Sequence, residues 1–140
     1  MIQAIIDIGS NTIRLAIYQI EYGKIELLMK KKHAVGLAAY IKNGIMQPKG
    51  IDKTCVILNE YKELLASLKI ENVTAFTTAA LRNAANSGAA VREIMERTGI
   101  SIRVISGDEE ATFDFIGATH DLKDPDGLLI DIGGASTEIV

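Results

Sequence analysis

The sequence has no tryptophan, one cysteine, two prolines and two histidines, and aromatic residues make up only 5% of it. A lone cysteine, Cys55, excludes an internal disulfide and a cysteine-based zinc site, which fits a reducing compartment. His33 has no second histidine or carboxylate at ligand spacing. His120 stands near Asp121 and Asp124, but the surrounding segment contains Pro125 and Gly127 and reads as a solvated helix exit. No apolar run approaches membrane-spanning length and no basic-then-apolar leader opens the chain, so a cytoplasmic location with no membrane partner is expected. A net positive charge is also lacking. A net charge of -3 argues against holding polyanions by bulk electrostatics, and a nucleic acid duplex is not an expected partner.

What is present suits a folded domain. The 140 residues are 48% hydrophobic and 24% charged, enough for one core and wrong for disorder. Two stretches carry chemistry. The first runs from an apolar strand, Ala4-Ile5-Ile6, through Asp7 to Gly9-Ser10-Asn11-Thr12 and then the alternation Ile13, Leu15, Ile17. The second runs from Leu128-Leu129-Ile130, read as a buried strand, through Asp131 to Gly133-Gly134-Ala135-Ser136, with Glu138 following. A carboxylate at a strand end, followed by small residues, can face both a metal and a phosphate. Small side chains let backbone N–H groups approach anionic oxygens closely, and hydroxyls add donors.

Between these ends, residues 3–9, 12–20 and 25–34 read as three strands, with a hairpin signal at Tyr22-Gly23. Lys30 to Lys32 suit an edge strand protected against further pairing. Residues 35–50 read as a connecting loop with one helical turn at most. Apolar residues from Ile51 to Leu68 follow helical spacing, with Cys55 on the buried stripe. A short strand at 73–76 leads into a helix-like segment ending at Arg82. Asn86 or Ser87 caps a helix over 89–97 that Gly99 ends, a strand covers 101–105, and Ser106 or Asp108 caps a helix over 109–118.

The two Asp-x-Gly segments resemble the phosphate-binding hairpins of the actin, hexokinase and sugar-kinase superfamily. DIGSNTIRL and DIGGASTEIV, together with TTAALRNAAN and VISGDEEA in the same order, resemble more closely the exopolyphosphatase and guanosine pentaphosphate phosphatase family over essentially the whole chain. The resemblance implies an α/β fold of ribonuclease H-like type, the actin-like ATPase lobe, with a mixed five-stranded sheet and helices on both faces. It implies that residues 1–140 form one such domain, the first lobe of a longer two-lobed protein, with the fragment inactive alone and a homodimer allowed.

The same resemblance implies Mg²⁺-dependent hydrolysis of the terminal phosphate of polyphosphate or guanosine pentaphosphate. Gly9, Ser10, Asn11, Thr12, Gly133, Gly134, Ala135 and Ser136 would contact phosphates, and Asp7, Asp131 and Glu138 would hold the metal. Arg82 would neutralise the transferring phosphoryl group and Glu110 would act as the base. Three departures stand out: Ala135 replaces a third glycine, Thr112 replaces an arginine, and Gly36-Leu37-Ala38-Ala39 lacks charged residues usual there. Two other readings remain open, a kinase or ATPase lobe and a non-catalytic phosphate-binding module.

Overall fold

A computed structural model describes residues 1–124 and 126–140, so Pro125, assigned above to the solvated exit, lies outside the described residues. Strand β1 (Ile2–Ile8) alternates strictly, so Ala4, Ile6 and Ile8 are fully buried on one face and Asp7 projects to the other. It pairs antiparallel with β2 (Thr12–Glu21), placing Asp7 opposite Arg14 and Ile8 opposite Ile13. Strand β3 (Lys24–Ala34) follows through a turn in which Tyr22 and Gly23 both have positive φ, 49° and 76°. That is the backbone a two-residue hairpin with right-handed strand twist demands.

On its outer side β3 is an open edge. The register with β2 slips between Ile17 and Tyr18, whose partners are Met29 and Leu27, leaving Leu28 as the extra residue of a bulge. A bulge and the lysine run both discourage edge-to-edge pairing. Lys31 also pairs with Glu60 of the first helix.

Residues 35–50 are more ordered than their composition predicts. They form a 3-10 turn over Leu37–Tyr40 and a small hairpin of β4 (Ile41–Lys42) and β5 (Ile45–Met46) around Asn43-Gly44, both at positive φ. Asn-Gly is a strong hairpin signal, but the two-residue flanks are too short to show as strands in a sequence. Helix α1 (Pro48–Ser67) then starts three residues earlier than its apolar pattern suggests, because Pro48 fits the first turn, where no amide hydrogen bond is needed. Gly50 in that turn is a point of close approach: a Cβ there would lie 2.7 Å from Met46 Sδ and 2.8 Å from Tyr40 Cβ. Gly50→Ala is therefore expected to lower stability by about 1–3 kcal/mol despite alanine's better helix propensity, measured by urea unfolding.

Strand β6 (Val73–Thr77) pairs parallel with β1 and β7 (Ile102–Val104) parallel with β6, completing a mixed five-stranded sheet in the order β3-β2-β1-β6-β7. Helices α1 and α3 (Ser87–Thr98) close the core on one face with Leu58, Tyr61, Val91 and Ile94 against Ile6, Leu15 and Ala75. Each such large side chain stabilises the fold by roughly 1.5–3 kcal/mol on burial. Tyr61, fully buried, donates its hydroxyl to Ile13 O at 3.0 Å, and its burial pushes the phenol pKa to about 12. Between β6 and α3, the one-turn helix α2 (Ala79–Arg82) ends on Arg82.

Gly99, at φ 71°, ends α3 as expected, but Asn86 is not its side-chain cap. The Asn86 amide instead accepts from Met46 N–H at 2.8 Å and donates to Met46 O at 3.0 Å, pinning the β4-β5 hairpin. Helix α4 (Gly107–Thr119) starts two residues before the expected 109, with Ser106, one of the two candidate caps, at its N-terminus. Ser106 Oγ accepts from Glu109 N–H, and the Glu109 carboxylate accepts from Ser106 N–H. Phe113 of α4 meets Phe76 of β6 at 6.5 Å between centroids, which places α4 on the sheet face opposite α1 and α3.

A further expectation fails. The final apolar run is not a buried strand: β8 (Ile130–Ile132) pairs only with β9 (Thr137–Ile139) as a separate antiparallel hairpin, with Leu128 69% exposed and Ile132 78% exposed. Apolar content marks a strand's tendency to be covered, and among the described residues no strand or helix covers the face that carries Ile130 and Ile132, while α4 lies against the face of Asp131 and Glu138.

Candidate functional site

The two Asp-x-Gly hairpins are built alike. In the first, Gly9 N–H donates to Thr12 O at 3.0 Å; in the second, Gly133 N–H donates to Ser136 O at 3.0 Å. The residue facing the aspartate is seven positions on in both, Arg14 for Asp7 and Glu138 for Asp131. The turns also face each other. A Cβ on Gly134 would sit 2.5 Å from Asn11 Nδ2, so glycine is required there for close approach and not for its φ.

The segment 35–38 props the first turn from behind. Val35 and Gly36 N–H both donate to Asn11 O at 2.9 Å, and Ala38 N–H donates to Ser10 O at 3.0 Å. These are backbone bonds, so the missing charged side chains at Gly36 to Ala39 leave the prop intact. Ala135 lies outside the left-handed region, and its methyl group costs no backbone strain. Ala135→Gly is accordingly expected to leave phosphate-ligand affinity unchanged within twofold, as read by calorimetric titration.

A cleft of about 510 Å³ lies between the turns. Asp7, Gly9, Ser10, Asn11, Thr12, Asp131, Gly133, Gly134 and Ser136 line it, and Glu110 enters from α4. Arg82, Ala135 and Glu138 do not line it. Arg82 stands behind Glu110. Its Nη1 donates to Glu110 Oε2 at 2.6 Å and to Ile105 O at 3.2 Å, while Nη2 lies 3.9 Å from Glu138 Oε1. The guanidinium thus joins α2, α4 and the second hairpin at one point.

Two cleft residues escaped the sequence reading. Arg14 lies 3.9 Å from Asp7, and its register position is the counterpart of Glu138 in the other hairpin. Asp114 follows Glu110 by one helical turn, a spacing that puts both on one face of α4. Burial is the main reason the Asp7 carboxyl is held above its ordinary range, with Arg14 opposing and Glu110 adding to the rise. Asp114 is pushed up to about 6, first by burial and then by the negative charges of Asp131, Glu110 and Glu138.

The donor set suits a hard divalent cation. Carboxylate oxygens of Asp114, Asp131 and Glu138 lie within 4.8 Å of one another, and Asp7 is not one of the three. Asp114 Oδ2 and Glu138 Oε2 are buried without a hydrogen-bond partner. An all-oxygen carboxylate group with orphaned lone pairs is the environment Mg²⁺ or Mn²⁺ prefers.

A mixed sheet of this order with helices on both faces, and a second Asp-x-Gly hairpin set against the turn of the first, defines an actin-like fold of ribonuclease H-like type. The description of the Ppx/GppA phosphatase family matches residues 16–140, and the chain belongs to that family. A crystal structure of an exopolyphosphatase from Cytophaga hutchinsonii superposes with a TM-score of 0.92 at 29% identity, over 100% of this chain and 46% of that one. The PPX-GPPA enzyme of Aquifex aeolicus does so with a TM-score of 0.86 at 34% identity, over 99% and 47%. A bifunctional 3-dehydroquinate synthase/phosphatase of Fusobacterium nucleatum subsp. nucleatum is 34% identical over 149 residues, 98% of this chain and 22% of that protein. The chain thus spans about half the length of these solved relatives and about a fifth of the curated one. Among the described residues no helix is long and apolar enough to cross a membrane.

Proposed function

We propose that this chain carries the phosphate- and metal-binding lobe of a phosphoanhydride hydrolase that removes the terminal phosphate of polyphosphate or of guanosine pentaphosphate. The observation that carries the reading is the pair of identically bonded turns facing each other, with Glu110 opening between them. Backbone N–H groups and hydroxyls of Gly9 to Thr12 and Gly133 to Ser136 bind the phosphate chain. Among the described residues Arg14 is the only cationic side chain lining a cleft that also holds Asp7, Glu110, Asp114 and Asp131. A polyanion enters such a cleft only with a cation, which is why Mg²⁺ dependence belongs to the reading.

Asp131 and Glu138 hold that cation, with Asp7 on the first hairpin facing the same cleft. Mg²⁺ supplies charge neutralisation on the phosphate oxygens. Glu110 orients a water molecule and accepts its proton as the water oxygen bonds to the terminal phosphorus. The bridging P–O bond breaks and leaves inorganic phosphate and a shortened chain, or the tetraphosphate nucleotide. Arg82 fixes the Glu110 carboxylate through the 2.6 Å bond. The active centre is completed by a second lobe of the same chain.

The test is phosphate release by the full-length protein with Mg²⁺, comparing polyphosphate with guanosine pentaphosphate. Release from either is the expected result. ADP formation from ATP with no phosphate release from both substrates would instead support the kinase reading.

A further inference from the structure

We infer that Asp114 is the third carboxylate of the divalent-cation site, which it forms with Asp131 and Glu138 so that the cation ties helix α4 to the β8-β9 hairpin. Neither the family resemblance nor the matched hairpins assigns Asp114 any role. The residue is one helical turn beyond Glu110, and both side chains open into the cleft.

Glu138 supplies the observation independent of clustering. It is 8% exposed, and its two oxygens have different fates. Oε1 has the Arg82 guanidinium at 3.9 Å, whereas Oε2 is buried with no partner. Asp114 Oδ2 is buried and unpartnered in the same way. Leaving a buried carboxylate oxygen without a donor or cation is strongly unfavourable, and here the two residues that carry such oxygens belong to one group of three.

Charge and distance both point to the α4 side of the cleft. Asp7 has the 3.9 Å approach of Arg14 and is not one of the three clustered carboxylates, and Glu110 is bonded to Arg82 at 2.6 Å. Asp114 and Asp131 have no salt-bridge partner among the described residues, and Glu138 has only the 3.9 Å approach of Arg82. Around Mg²⁺ at most one pair of three ligand oxygens stands opposite, about 4.2 Å apart, and the other pairs stand about 3 Å apart, so a group lying within 4.8 Å draws together by up to about 2 Å to hold the ion directly, or holds it partly through water. The consequence is mechanical as well as chemical. Helix α4 has no buried residues, and a cation bridging Asp114 to Asp131 and Glu138 would fix the helix that presents Glu110.

The inference deepens the hydrolase reading but is tested without substrate. Mn²⁺, which shares the oxygen preference of Mg²⁺, is titrated calorimetrically into the metal-stripped full-length protein. Asp114→Asn is expected to weaken Mn²⁺ binding at least tenfold. Asp108→Asn, which removes the same charge from an exposed site on the same helix, is expected to change it less than twofold. Equal Mn²⁺ affinity in Asp114→Asn and the unmodified protein overturns the inference, as does an equal loss in both variants. Should Asp114→Asn fail to fold, crystals of the unmodified protein soaked in Mn²⁺ decide the matter. An anomalous peak within bonding distance of Asp114 supports the site, and a peak elsewhere or none overturns it. Mn²⁺ bound through Asp114 without phosphate release would remove the hydrolase reading and leave the site standing. Phosphate release with Asp114 uninvolved in binding would do the reverse.

Discussion

Glu110→Gln in the full-length protein is expected to lower the rate of phosphate release by at least about 10²–10⁴-fold with little change in KM, because a glutamine cannot accept a proton from water. The substitution is nearly isosteric, and the amide oxygen can still accept from Arg82 Nη1. The lost part is the charge of that hydrogen bond, worth about 1–3 kcal/mol, so the protein should remain folded with a lower melting temperature. Glu110 is partly buried, and its N–H is bonded to Ser106 O within the first turn of α4. The carboxylate is therefore held by backbone on one side and Arg82 on the other, and substitution should not let the helix drift. Circular dichroism checks the fold, and steady-state phosphate release checks the chemistry. Full activity in the folded variant would falsify the assignment of the base.

Much of the site was legible because strand ends and turns have strong local rules. Asp7 and Asp131 each close an apolar strand and precede glycine, and the structure gives both turns the same hydrogen bond. The sequence offered Ser106 or Asp108 as the cap of α4, and the reciprocal bonds between Ser106 and Glu109 decide for Ser106. Arg14 and Asp114 were missed although each had a signal. Hairpin register predicts that whatever lies seven residues after Asp7 will face it, as Glu138 faces Asp131. Helical spacing predicts that Asp114 shares a face with Glu110. Both residues look like ordinary solvated charges until a second element is set against them.

The failures have a different cause. An apolar run reports that a strand tends to be covered but not by what, so Leu128 to Ile130 looked like core and stands in the open. The β4-β5 hairpin was hidden because its pairing is two residues long and its stability comes from the Asn86 amide, forty residues away from Met46. Long-range side-chain bonds of this kind leave no periodic trace in a sequence.

Arg82→Ala should have the largest effect on stability and on turnover together. The guanidinium serves Glu110, Ile105 O and Glu138, whose side chains are 15% and 7% exposed for the two carboxylates. Removing it leaves Glu110 in the cleft and Glu138 behind it without their nearby positive charge, in a region already rich in carboxylates. Breaking a buried pair from one side costs about 3–5 kcal/mol, and the partial exposure of Glu110 places this case near the low end. For a domain of this size that corresponds to a fall of roughly 10 °C in melting temperature. The kinetic signature separates two roles for the residue. If Arg82 positions Glu110 from behind, kcat falls sharply while KM stays, and Arg82→Lys recovers little because an ammonium cannot span the carbonyl and both carboxylates at once. If Arg82 instead swings into the cleft to contact substrate, KM rises and Arg82→Lys restores much of the binding. A double-substitution cycle with Glu110→Gln gives the deciding number, since a positioning role predicts that removing Arg82 has little further effect on turnover once the base is gone.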